Sequence, residues 1–156
     1  MIRIFNEKEL LDSFRPLDRD QVELPKDLKF PLGIQDYLAW VEPSGARVYL
    51  VLAEPENRHP LGVVFRRDQT SGPAAMMCEW CHSVRAGDGV TLLTATASSH
   101  KRVGIPLCRD LSCKDKALLR VADAPGPHDF PETLNGPEKV RRIVARMSSF
   151  ARRNLF

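Results

Sequence analysis

A chain of 156 residues, 43% of them hydrophobic, is long enough for one domain with its own core and too apolar for global disorder. Twelve prolines and nine glycines imply short elements joined by many turns, which sets a helical bundle aside in favour of a mixed fold. The formal charge of +3 is too small to indicate a nucleic acid by itself, and no apolar run approaches the roughly 18 residues of a membrane span.

The opening MIRIFNEKELL has acidic Glu7 and Glu9 and lacks the apolar run and small-residue site of a secretory signal. A cytoplasmic setting with reduced thiols is therefore expected. Asn6 followed by Glu9 has the form of a capping box. Behind it Leu10, Leu11 and Phe14 form an apolar helix face, and Pro16 stops the helix. Residues 18–35, with Pro25 and Pro31, read as an irregular connection.

Asp36 to Val41 then reads as a strand, the turn Glu42-Pro43-Ser44-Gly45 leads into Arg47 to Ala53, and Leu61 to Arg67 is a third strand. Together they predict an antiparallel meander. Asp68 to Ala75 is a loop that leads to the first cysteine pair. Gly87-Asp88-Gly89 is a turn before the β-branched run Val90 to Ala97. The basic loop SSHKR connects that run to Val103–Leu107, making a hairpin, and Asp115 to Val121 reads as a short helix. Residues 123–137 read as a linker. From Pro137 a last helix carries Val140, Ile143, Val144, Met147, Phe150 and Ala151 at helical spacing, a stripe expected to pack on the sheet.

The chemistry of the chain lies in its four cysteines, spaced Cys78-x2-Cys81, 26 residues, Cys108-x4-Cys113. A two-residue gap lets one turn aim two sulfurs at one point, and a second pair returning on a hairpin closes a tetrahedron. A knuckle, a hairpin and a ligand pair opening a helix make the treble-clef arrangement. Four thiolates leave the metal no open position, so such a zinc is structural. An iron–sulfur cluster uses the same ligands and stays open on spacing alone. Unmetallated packing is the plain alternative. A redox pair leaves Cys108 and Cys113 unexplained. His82 reads as a surface or neighbouring histidine and not a ligand. His59, His100 and His128 have no carboxylate or nucleophile motif beside them. No phosphate loop, nucleophile elbow or His-Glu-x-x-His motif appears, so neither an enzyme nor a small-molecule substrate is indicated.

Charge is uneven along the chain. Six basic residues between Ser99 and Arg120 face only Asp110 and Asp115, and six after Pro137 face only Glu138. Four thiolates with one Zn2+ carry −2, which would bring the whole chain to about +1. The expected interaction surface comprises Lys101, Arg102, Arg109, Lys114 and Lys116, with Trp80 in the knuckle either exposed for stacking or covering the metal.

Met77-Cys78-Glu79-Trp80-Cys81-His82-Ser83, Val90 to Ala97, and Val103 to Cys113 resemble the treble-clef domain of elongation factor G-binding proteins, the family of the fusidic-acid-resistance proteins. Asp36 to Trp40, Leu61 to Arg67 and Phe150-Ala151-Arg152-Arg153 extend the resemblance over roughly residues 1 to 155. It implies that the four cysteines are zinc ligands and that the partner is elongation factor G or the ribosome. The resistance proteins carry a further helical N-terminal domain, for which a chain opening on one short helix has no room. The expectation is an α+β single domain over residues 1–156: an antiparallel meander, a treble-clef zinc finger with its core at about 76–120, and flanking N- and C-terminal helices. One structural Zn2+ and a non-enzymatic binding role go with it, RNA being the alternative partner.

Overall fold

The computed structural model describes residues 1–67, 76–85, 89–119 and 136–156. Its centre is a five-stranded antiparallel sheet in the order β3-β4-β5-β8-β9, made of β3 (Tyr37–Val41), β4 (Arg47–Leu52), β5 (Leu61–Arg67), β8 (Val90–Ser98) and β9 (Lys101–Cys108). The meander forms as its β-branched and aromatic runs require. Among the described residues the long hairpin β8–β9 joins it through the pairs Arg66–Thr94 and Arg67–Leu93.

Both faces of the sheet are covered, so β4 is buried on both sides instead of alternating. Val48, Leu50 and Leu52 point to one core, with Phe65, Leu93, Leu107 and Trp80. Tyr49, Val51 and Ala53 point to the other, with Ile4, Leu10, Phe14 and Ile34. The second core is roofed by α1 (Glu7–Asp12), whose N-cap Asn6 accepts from the Glu9 amide at 2.9 Å. Glu9 in turn accepts from the Phe5 amide at 2.8 Å, so the capping box closes one residue further out than its usual form. The chain leaving α1 lies flat on β5: Gly62 donates to the Ser13 carbonyl at 2.8 Å, and a Cβ on Gly62 would meet Phe14 Cγ at 2.6 Å. Only glycine permits that approach.

The stretch expected to be irregular holds a 3-10 turn (Arg19–Gln21) and a strand β2 (Leu32–Ile34) paired with β1 (Ile2–Ile4). Three-residue strands have no periodicity to read, which is why this small sheet is invisible locally. The SSHKR loop shrinks to Ser99 and His100, because Lys101 and Arg102 are already in β9. The expected loop at 68–75, most of the Gly87–Gly89 turn and the linker up to residue 135 lie outside the described residues.

On the first core sit β6 (Met76–Met77), which pairs with β7 (Val84–Arg85), then α2 (Cys113–Leu119) and α3 (Gly136–Asn154). Val140, Ile143, Val144, Met147 and Ala151 of α3 are buried there, as the helical stripe predicts. Among the described residues, no helix is long and apolar enough to cross a membrane.

Candidate metal centre

Two similar turns deliver the four cysteines. In the first, between β6 and β7, His82 donates to the Cys78 carbonyl and Cys78 to the Ser83 carbonyl, both at 2.9 Å, with His82 in the left-handed region at φ 60°. In the second, after β9, Leu111 donates to the Cys108 carbonyl at 3.0 Å with φ 56°. Each turn thus places one non-glycine residue in a costly conformation. Leu111 is held there by its own burial, at 1% exposure. Glu79 donates to the Pro106 carbonyl at 2.9 Å, which fastens the first turn to the strand that carries Cys108.

The ligand atoms of Cys78, Cys81, Cys108 and Cys113 all lie within 4.8 Å of one another, with Cys81–Cys108 at 3.4 Å and Cys78–Cys113 at 3.7 Å. Sulfurs about 2.3 Å from a central zinc make a tetrahedron with edges of roughly 3.8 Å, so the donor set fits that ion in number, chemistry and size. The fit is electrostatic as well. Hydrogen bonds from Cys108, Cys113 and Cys78 push the Cys81 thiol down, whereas those among Cys108, Cys78 and Cys81 push Cys113 well up. Buried sulfurs at this spacing cannot all be thiolates without a cation between them.

Lys116 supplies a second positive charge, its Nζ donating to Cys108 Sγ at 3.2 Å. Burial alone lowers the Lys116 pKa, but the charge of Cys108 and its hydrogen bond outweigh that and raise it. Lys114 is also turned inward: its Nζ pairs with Asp36 at 2.8 Å. Its amide donates to the Tyr37 hydroxyl at 2.8 Å, and that hydroxyl donates to the Leu111 carbonyl at 2.7 Å. Tyr37 is therefore the post that steadies the second turn, and burial pushes its phenol up. Sequence reasoning did not find Asp36 and Tyr37 as site residues, since they stand 78 and 77 positions from Lys114 and carry no motif.

The six residues expected at an interaction surface are not brought together. Trp80 is 2% exposed and packs against Phe65 and Phe150 with ring centroids 5.9 and 6.0 Å away, so it is core and offers no face to a base. Its carbonyl accepts from Arg146 of α3 at 2.7 Å. Arg109 is exposed beside the second turn. Lys101 and Arg102 are exposed at the opposite end of the β8–β9 hairpin. Six residues of strand from Arg102 to Cys108 put them roughly 20 Å from the sulfurs.

The family model described as FBP C-terminal treble-clef zinc-finger matches residues 10–153. The solved structure of the fusidic acid resistance protein FusC is similar over 72% of this chain and 50% of that chain, with 18% identity and a TM-score of 0.48. This chain thus spans half the length of that neighbour. Among curated proteins there is no match.

Proposed function

The chain belongs to the FBP C-terminal treble-clef zinc-finger family, and from that premise we propose that Cys78, Cys81, Cys108 and Cys113 hold its single structural zinc ion in a non-enzymatic binding protein of the translation machinery. The observation that carries this reading is the convergence of four sulfurs within 4.8 Å from two turns separated by a hairpin. With every position taken by sulfur, the ion organises the surface and leaves no place for a substrate.

The partner that fits the family resemblance best is elongation factor G, free or on the ribosome. The surface offered to it is the tip of the β8–β9 hairpin, where Lys101 and Arg102 are exposed and have no ion-pair partner among the described residues. Two adjacent cations on a rigid hairpin suit an acidic protein face. An RNA partner would use the same cations but loses the stacking platform, because Trp80 is buried.

Calorimetric titration of zinc-loaded, nuclease-treated protein with purified elongation factor G, and separately with ribosomes, tests the partner. Binding that weakens at least tenfold when Lys101 and Arg102 are changed to Glu supports the reading. Absence of binding to both refutes it, and RNA that, before nuclease treatment, co-purifies with the unaltered chain and not with the doubly changed one transfers the surface to RNA. Metal content by emission spectroscopy tests the ligand set separately.

A further inference from the structure

The two edges of the five-stranded sheet are finished differently. Along β9 the Pro106 carbonyl is taken by Glu79, Pro106 has no N–H to offer, and the strand ends in the second cysteine turn. On the β3 edge only Tyr37 is covered among the described residues: its amide donates to the Asp36 carboxylate at 2.6 Å and its carbonyl accepts from Lys114 Nζ at 3.4 Å. The Ala53 amide donates to the Asp36 carbonyl and the Glu42 amide to the Arg47 carbonyl, so residues 36, 38, 40 and 42 use their backbone groups toward β4. The N–H and C=O groups of Ala39 and Val41 consequently point away from the sheet, and no residue among those described pairs with them. Tyr-Leu-Ala-Trp-Val contains no charge, proline or bulge, the usual guards of an edge.

Beside this edge lies a cleft of about 380 Å³ between β3 and the loop 110–115. Its inner wall is the apolar strand and its outer wall carries the exposed carboxylates of Asp110 and Asp115. The one lysine in the lining, Lys114, is already committed to Asp36.

We propose that β3 is a docking edge that takes an extended segment of another polypeptide as a sixth strand, one with lysine or arginine at alternate positions. Backbone pairing to Ala39 and Val41 supplies the attraction common to all sequences, and the alternate cations meeting Asp110 and Asp115 supply the selection. A second copy of this chain is a poor occupant, because edge-to-edge pairing brings like carboxylates together and β3 itself has no cation. The proposal is independent of the elongation factor reading, which uses the opposite edge.

The test uses the zinc-loaded full chain, labelled with nitrogen-15, and a synthetic decapeptide of lysine alternating with valine and threonine. The expected result is slowed amide exchange at Ala39 and Val41, about tenfold or more at saturation, with Gly104 on the other edge unchanged. Two further peptides, N-methylated on one or the other set of alternate amides, separate pairing from charge: one should lose binding and the other keep it. Asp115→Asn should weaken the parent peptide severalfold. Binding that ignores both methylation patterns, or protection that appears elsewhere, overturns the proposal. So does protection of Ala39 and Val41 that grows with the concentration of the protein alone, which assigns the edge to a second copy.

Discussion

On one face of the sheet Phe14 stands edge-on to Trp40 and Tyr49, with ring centroids 6.3 and 6.4 Å away, and the Tyr49 hydroxyl donates to the Gln21 carbonyl at 2.7 Å. On the other face Trp80, Phe65 and Phe150 pack as a second aromatic trio, but Trp80 reaches it from inside the Cys78–Cys81 turn. The first face is closed by aliphatic and aromatic packing and by hydrogen bonds, with no cysteine among its core residues. The second core contains Cys78, Cys108 and Cys113 themselves, so its packing is continuous with the candidate metal site. The same kind of packing can therefore be self-supporting or conditional, according to what holds its members in place.

The two tryptophans, one on each face, report that difference directly. Changing Cys113 to Ser should have the largest effect, since structural zinc contributes on the order of 10 kcal/mol to folded-state stability. The expected outcome is loss of the metal and of the buried Trp80 indole signal by NMR, with the Trp40 signal retained. Simultaneous loss of both signals would mean that the faces are one cooperative unit.

Phe14→Ala is the converse experiment. It opens a cavity on the metal-independent face and should cost about 3–5 kcal/mol in denaturant unfolding. The protein should still bind one zinc ion, and Trp80 should keep its environment.

A smaller effect concerns how α3 is tied to the meander. Glu54 accepts hydrogen bonds from Arg152, Ser148 and Asn57, and the first of these chiefly lowers its pKa below the ordinary 4.5. A carboxyl depressed on folding contributes stability above its unfolded value, and that contribution is lost as pH falls through the lower folded one. Between those values the wild-type chain should lose an advantage that Glu54→Gln never has. Proton-driven zinc loss enters both unfolding curves alike and cancels from their difference, which should shrink toward acid pH.

The smallest effect is expected at His82. Glycine there relieves the left-handed backbone and should raise stability by up to about 1 kcal/mol, with zinc content unchanged. A loss of zinc would show that the imidazole serves the site beyond its place in the turn.

Much of the fold was readable locally. The span Leu61–Arg67 agrees with its strand to the residue, the other meander strands agree to within one, and the stripe of α3 is buried as its spacing implies. What escaped was short or distant. The pairing of β1 with β2 rests on three residues at each side, and Tyr37 steadies the Leu111 turn across 74 positions. The cysteine pairs were legible because ligand spacing is a local constraint, imposed by the reach of one turn.

Sequence alone therefore determined the longer strands and helices, the four cysteines as the candidate donor set of a zinc ion, and the family, because each is written in spacings of a few residues. Only the tertiary structure decided what the cations and the tryptophan between them do. Lys114 and Lys116 turn inward to Asp36 and Cys108, Trp80 enters the core, and Lys101 and Arg102 stand at the far end of the hairpin. A charge in a sequence has no direction until packing fixes which side of it faces water, and burial beside an opposite charge outweighs hydration only where the fold has brought that charge within reach.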